Sequence, residues 1–290
     1  MTEELPVVVQ PVTWLDILTD ETITFDDRLD RWEAFVSNLP PQECPLKHTF
    51  PEGMYVREIF MPAGSIVVLH ACCHNPTGVD LSVEQWSQVV KACVEGQLIP
   101  FLDIAYQGFG DGIDADAFAV RMFAEAGIDL LVSSSFSKSF SLYGERVGAL
   151  SVVAQDKDEA ARILSQLKRV VRTNYSNPPT HGGAVVTSVL NSPELRACWE
   201  QELSGMRDRI RAMRTGLVER LAQLGVKRDF SFVARQRGMF SYSGLTSAQV
   251  DRLREEFGIY AVSTGRICLA ALNTRNIDAV AQAIAKVIES

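Results

Sequence analysis

Ser133-Ser134-Ser135-Phe136-Ser137-Lys138-Ser139-Phe140-Ser141-Leu142-Tyr143-Gly144-Glu145-Arg146-Val147-Gly148 sets one lysine among hydroxyls, with an arginine eight residues further on. The apolar run Leu130-Leu131-Val132 precedes it, so Lys138 would emerge at the end of a buried strand, where open α/β sheets bind their ligands. Desolvation and a nearby cation lower the pKa of an amine and favour the neutral form that attacks aldehydes. Ser135, Ser137 and Arg146 offer hydroxyls and a forked cation, the groups that hold a phosphate. The stretch reads as a cofactor site, although a lysine among serines is more commonly a solvated loop.

Strand and helix alternate around it. Ser65 to His70 is a β-branched run, and Asn75-Pro76-Thr77-Gly78 turns the chain. Ser82 and Gln85 form a capping box ahead of a helical stripe, Val83, Trp86, Val89, Val90, Cys93 and Val94, that Gly96 ends. Leu98 to Ala105 reads as a second buried strand carrying the isolated Asp103. A glycine-rich loop, a helix from Ala115 to Ala126, the strand before Lys138 and a strand from Val147 to Val153 follow. This alternation predicts a mostly parallel sheet covered by helices. Beyond it the pattern predicts a helix from Lys157 to Arg172, the proline-broken Asn174 to Pro179, and a long helix from Pro193 to Leu224 joining two domains. Short strands at Phe230 to Ala234 and Met239 to Tyr242, a helix from Ser247 to Phe257, a strand pair between Tyr260 and Leu269, and a helix from Asn276 to Ile288 make a small α+β unit.

With 290 residues, net charge −8 and 47% hydrophobic residues, the composition is that of a soluble protein with one large or two modest domains. The acidic balance argues against a dedicated nucleic-acid or anionic-membrane binder and leaves small molecules as partners. Six irregularly spaced cysteines, with Cys93, Cys198 and Cys268 in apolar or helical patterns, read as reduced core residues of a cytoplasmic protein. Cys72-Cys73-His74 has no second ligand cluster at finger spacing, so no metal is expected. No signal peptide and no apolar run of about 18 residues is seen.

Residues 1 to 64 have another texture: Met1 to Glu33 carries nine acidic residues against two basic, and Pro6, Pro11 and Pro40-Pro41 break it. A helix fits only Asp26 to Asn38, where Leu29, Trp32, Phe35 and Val36 recur at helical spacing. Cys44 to Phe60 resembles the opening strands of small cupin-like proteins, but His48 is the only histidine before the next motif, so no cupin metal set exists. A surface arm or edge hairpin is the plainer reading.

Four separated features converge: Asn75, fixed at a strand end by Pro76; Asp103 with Tyr106 three residues on; Ser135, Ser137 and Lys138 with Arg146; and Arg266 in Ser263-Thr264-Gly265-Arg266. A buried Asp103 needs a cation, and a protonated pyridine nitrogen would serve. Together they read as a pyridoxal phosphate site. Each alone has a plainer reading: Asp103 a helix cap, Arg266 or Arg172 a surface ion-pair partner, Asn75 a turn residue. Gly108, Gly110 and Gly112 miss the spacing of a dinucleotide loop.

From Gly64 onward the sequence resembles the class I pyridoxal-phosphate-dependent aminotransferases of the aspartate/aromatic (tyrosine) group. The resemblance rests on His-Ala-Cys-Cys-His-Asn-Pro-Thr-Gly, Phe-Leu-Asp-Ile-Ala-Tyr-Gln-Gly-Phe-Gly, Ser-Phe-Ser-Lys-x-Phe-Ser-Leu-Tyr-Gly-Glu-Arg-Val-Gly and Arg-Gly-Met-Phe-Ser-Tyr-Ser-Gly-Leu, in that order. It implies an α/β fold of type I, aspartate aminotransferase-like, with a small α+β C-terminal domain. On this reading residues 1–64 are an atypical segment, 65–205 a partial large domain and 206–290 the small domain. The implied activity moves an amino group between an aspartate or aromatic amino acid and a 2-oxo acid, in a homodimer. By the same resemblance Lys138 looks like the Schiff-base lysine that also moves the substrate proton, and Asp103 like the partner of the ring nitrogen. Asn75 and Tyr106 would bond the ring's phenolic oxygen, Ser135, Ser137 and Arg146 the phosphate, and Arg266 the substrate α-carboxylate. Arg172 would meet a distal carboxylate across the dimer interface.

The family's upstream parts, among them a phosphate loop, a ring-stacking tryptophan and a tyrosine lent to the neighbouring site, are not recognisable in Met1 to Gly64. Trp14 and Trp32 lie in the wrong context for the stacking residue. The expectation is an incomplete large-domain sheet with exposed edges, weak cofactor binding and slow turnover. The alternative is a non-catalytic remnant or fusion whose aminotransferase-like part is a folded or partner-binding module.

Overall fold

The computed structural model describes Leu46–Thr49, Val56–Ile59 and residues 64–288. The helix expected from Asp26 to Asn38, with Trp14 and Trp32, lies outside the described residues. The chain divides into two units, Met1–Met61 and Pro62–Ser290. In the first, β1 (Leu46–Thr49) and β2 (Val56–Ile59) pair antiparallel, Leu46 opposite Ile59. That is the expected hairpin.

The second unit is built on a four-stranded sheet in the order β3 (Ile66–His70), β4 (Ile99–Ile104), β5 (Leu130–Ser135), β6 (Gly148–Val153). The first three strands are parallel, and β6 returns antiparallel beside β5. Register and the two-residue side-chain period put His70, Asp103 and Ser133 side by side on one face at the strand ends. On the same face Ile66 and Val68 are 55% and 65% exposed, whereas Leu102, Ile104 and Leu130 on the opposite face are buried. The buried face packs under helices α1 (Val83–Glu95) and α3 (Phe118–Glu125), where Trp86 meets Phe118 and Phe123 edge-on. The capping box of α1 forms as expected: Ser82 Oγ accepts from Gln85 N, and Gln85 Oε1 accepts from Ser82 N.

The helix expected over Ala115 to Ala126 is two pieces, α2 (Ile113–Asp116) and α3, broken at Ala117. Asp116, at the break, accepts hydrogen bonds from the backbone of Gly108, Gly110 and Asp111, which ties it to the glycine loop instead of to a continuous helix. Those glycines therefore cradle a carboxylate of the same chain.

Helix α4 (Lys157–Asn174) leads to α5 (Thr180–Asn191), which had no clear signal in the sequence. The 31-residue α6 (Pro193–Gln223) packs on α5, on α7 (Ser231–Arg235) and on α9 (Ile277–Ile288). Its Leu217 and Leu221 join Leu253 of α8 (Ser247–Phe257) with Ile277 and Ile284 of α9 in one core. Phe230 to Ala234, expected as a strand, forms α7 because the Asp229 carboxylate accepts from Ser231 N–H and O–H and starts a helical turn. The strand pair expected between Tyr260 and Leu269 gives one strand, β8 (Arg266–Cys268), paired with β7 (Phe240–Tyr242). Residues 262–266 close instead into a turn, Gly265 N–H donating to the Val262 carbonyl. Cys93 is buried, but Cys198 and Cys268 are exposed and are not core residues, one on the solvent side of α6 and the other at the end of β8. No helix among the described residues is long and apolar enough to cross a membrane.

Burial sets the energetic ranking of the sheet's side chains. Trp86→Ala removes a side chain 2% exposed and should lower unfolding stability by about 3–5 kcal/mol. Val68→Ala, on the open face, should change it by less than about 0.5 kcal/mol. Urea unfolding of both variants reads the difference, and equal losses would contradict the assignment of faces.

Candidate active site

The strand ends of the sheet and the two-stranded β7–β8 ribbon of the C-terminal region supply the polar side chains of a single cluster. After β3 the chain turns through Cys73 to Gly78, and the Asp80 carboxylate accepts from the backbone N–H of Cys73 and His74 at 2.8 and 2.7 Å. His74 and Thr77 bond side chain to side chain at 2.8 Å. This fixes Asn75, whose Nδ2 donates to Tyr106 Oη at 3.3 Å and whose Oδ1 accepts from the Arg266 guanidinium at 3.0 Å.

The turn reaches Arg266 because it is bound to β7. Tyr242 N–H donates to the Thr77 carbonyl, and Arg237 N–H to that of Gly78, both at 2.8 Å. Gly78, at φ +70°, lies so close that a Cβ there would sit 2.3 Å from the Phe240 carbonyl oxygen. Gly238, at φ +78°, likewise leaves no room for a Cβ against Cys73. Tyr242 pairs with Arg266 across the β7–β8 ribbon, and the Arg266 guanidinium lies 4.7 Å over the Phe240 ring.

Lys138 completes the cluster. Its Nζ lies 4.8 Å from the centre of the Tyr106 ring and 5.2 Å from that of Tyr143. Asp103 is half-buried between His70 and Ser133 in register, and Ser133 Oγ donates to its Oδ1 at 3.4 Å. His70 Nδ1 is buried without a hydrogen-bond partner. Ser137 is buried, and its backbone N–H donates to Ser135 Oγ at 3.3 Å. Arg146 is exposed, in the left-handed backbone region, and donates to the Tyr143 carbonyl. Arg172 stands apart on the exposed end of α4, bonded to Ser176 Oγ.

Burial pushes the Tyr106 phenol up, Tyr143 adding to it, while Asn75 and Arg266 pull the other way. Tyr106 therefore stays a neutral phenol that can donate. Burial, aided by His70, pushes His74 below the usual imidazole range. Cys72, Cys73 and Asp116 bring ligand atoms within 4.8 Å of one another. The hydrogen bond to Cys72, with burial, pushes the Cys73 thiol far up, so it stays protonated; Asp116 already serves three amides. These three read as packing.

The family model "Aminotransferase class I and II" matches residues 60–284. The chain belongs to the class I and II aminotransferases. An aspartate aminotransferase of Pseudomonas aeruginosa is 70% identical over 79% of this chain, and an aromatic-amino-acid aminotransferase of Escherichia coli is 57% identical over the same share. The chain spans 57% of the length of each of these relatives. Among solved structures, an aromatic-amino-acid aminotransferase from Burkholderia pseudomallei covalently bound to pyridoxal phosphate is 75% identical with a TM-score of 0.78. That match covers 78% of this chain and 57% of the other. An aromatic aminotransferase from Psychrobacter sp. B6 cocrystallised with aspartic acid is 51% identical, also at TM-score 0.78, covering 79% and 58%. The fold is thus that of the type I, aspartate aminotransferase-like transferases, with part of the sheet present.

The donor set fits pyridoxal phosphate by its chemistry. An amine, a carboxylate, a phenol, a carboxamide, two serine hydroxyls and a guanidinium correspond to the aldehyde, ring nitrogen, phenolic oxygen and phosphate of that cofactor. Sequence reasoning assigned no role to Tyr143, Phe240, His70 or Asp80. Tyr143 and Phe240 lay inside quoted motifs, yet a ring facing a cation has no signature of spacing; Asp80 reads in sequence as an ordinary loop acid.

The depressed His74 pKa has a signed consequence. The unfolded chain takes up a proton near pH 6.5, the folded chain only at lower pH, so stability falls as pH drops from about 6.5 through the folded value and stays reduced below it. His74→Gln should remove that part of the acid dependence, as seen in urea midpoints between pH 7.5 and 5. An unchanged pH profile in the variant would show that His74 does not carry it.

Proposed function

We propose that this chain is a pyridoxal-phosphate-dependent aminotransferase exchanging an amino group between an aspartate or aromatic amino acid and a 2-oxo acid, as a cytoplasmic homodimer. The observation that carries the reading is the continuous polar contact from Arg266 through Asn75 to Tyr106, with Lys138 Nζ over the Tyr106 ring. An amine is thereby held near a carboxylate-binding guanidinium, the pair of groups an amino-acid substrate needs. The names of the relatives divide between aspartate and aromatic substrates, which supports both substrate classes.

Lys138 would hold the cofactor covalently through Nζ and, once released by substrate, take the proton from the substrate Cα. Asp103 would keep a proton on the ring nitrogen, its charge supported by Ser133. Asn75 and Tyr106 would face the phenolic oxygen, with Tyr106 neutral and able to donate. Ser135, Ser137 and Arg146 would hold the phosphate. When bound, the cofactor supplies an electron sink for the pair left as the Cα–H bond breaks. Arg266, steadied by Asn75 and Phe240, would orient the α-carboxylate as a fork. Arg172 would meet a distal carboxylate from across the dimer interface, in keeping with its distance from its own cluster.

Borohydride treatment after incubation with pyridoxal phosphate, followed by peptide mass analysis, tests the reading. A mass increment on the peptide containing Lys138 is expected in the parent and in Asp103→Ala, and none in Lys138→Ala. Asp103→Ala should lose most transamination. The absence of any increment on Lys138 in the parent chain would refute the proposal and favour a non-catalytic module.

The two arginines should separate by substrate. Arg266→Ala should weaken every amino acid by on the order of 2–5 kcal/mol, the range for truncating one partner of a buried hydrogen-bonded charge pair, and Arg172→Ala should weaken chiefly dicarboxylates. Equal losses for aspartate and phenylalanine in Arg172→Ala would contradict the division of labour.

A further inference from the structure

We infer that the cavity between α6 and the segment from Ala234 to Arg237 is a binding site for a tetrahedral oxyanion of the phosphate class. The cavity measures ≈ 300 Å³ and is lined by Arg207, Arg211 and Arg214 of α6, with Arg235 and Arg237 opposite. Asp111 and Gln236 also line it. Spacings of four and three residues put the three helical arginines on one face, an arrangement in which like charges repel. Such a concentration of cations stands out in a chain of net charge −8.

The cations are not balanced from within. Asp111 pairs with both Arg211 and Arg237, at 3.2 and 2.7 Å, and Asp208 lies beside Arg207 at 3.3 Å. Asp229 acts on Arg235 and Asp80 on Arg214, so five guanidiniums still outnumber the four carboxylates around them. Arg214 is 4% exposed, and the bonds it makes go to neutral acceptors: the carbonyls of Gly238 and Phe240, at 2.7 and 3.1 Å, and Ser241 Oγ at 3.4 Å. Burial, with Arg211 adding to it, pushes its pKa down to about 10. An anion in the cavity would relieve both the burial of this charge and the repulsion between the arginines.

Gln236 holds the segment that carries Arg235 and Arg237: it is 7% exposed, and its Nε2 donates to the Tyr242 carbonyl at 3.0 Å. Phosphate, phosphate monoesters and sulfate all present the paired oxygens that guanidiniums bind as forks.

Calorimetric titration of the full chain with inorganic phosphate and with sodium sulfate, at pH 6.5 and constant ionic strength, tests this. The titrations use the Arg146→Gln variant, which removes the guanidinium of the proposed cofactor-phosphate subsite, so that this proposal stands or falls separately from the aminotransferase reading. Phosphate and sulfate are each expected to saturate at one equivalent. Adding Arg211→Gln and Arg237→Gln should weaken phosphate at least tenfold while the thermal transition persists; if that variant does not fold, Arg235→Gln alone, at an exposed position, should weaken it severalfold. Absence of saturable phosphate binding, or undiminished binding in the arginine variant that folds, would overturn the proposal.

Discussion

Asn75 uses both ends of one carboxamide to join parts of the chain far apart in sequence. Its nitrogen donates to Tyr106, which follows β4, and its oxygen accepts from Arg266, 191 residues away. A carboxamide offers donor and acceptor at fixed separation, so the phenol and the guanidinium cannot move independently. The placement of the Lys138 cluster relative to the Arg266 guanidinium depends on this bridge. The backbone hydrogen bonds from Tyr242 and Arg237 to the Thr77-Gly78 turn hold it, and only glycine fits at 78 and 238.

That juncture is supported from beneath by packing. The core of Leu217, Leu221, Leu253, Ile277 and Ile284 holds α6, α8 and α9 together, and the buried Arg214 extends from α6 to the carbonyls of Gly238 and Phe240. Removing such a cation would leave two buried acceptors unpaired, which costs more than the hydrogen bonds contribute while present. On the sheet side, Asp80 and Asp116 each serve backbone amides near the strand ends, fixing the loops from which Asn75 and Tyr106 project.

Local chemistry made most of this legible in the sequence. The β-branched and apolar runs gave β3, β4, β5 and β6 to within a residue or two, and Ser82 with Gln85 marked the start of α1. Helix α5 escaped because Gly182-Gly183 weaken its pattern and Pro179, before it, offers no side-chain cap. Phe230 to Ala234 has strand-like apolar density, and the turn made by the Asp229 carboxylate with Ser231 outweighed it. The motif residues Asn75, Tyr106, Lys138 and Arg266 were identified individually. That Asn75 touches Arg266, or that Phe240 lies under it, is a long-range contact with no local periodicity to announce it. The five-arginine cavity was invisible for the same reason, since α6 reads in sequence as an ordinary solvated helix with charge pairs.

The bridge itself is the part of the account most directly open to measurement. A double-mutant cycle of Asn75→Ala and Arg266→Ala, read as urea unfolding free energy, isolates the coupling between the two side chains. The structure predicts a coupling of about 0.5–3 kcal/mol, the range found for residues in contact. Additivity within about 0.3 kcal/mol would show that the two do not interact, and the assembly of the site around Asn75 would be wrong.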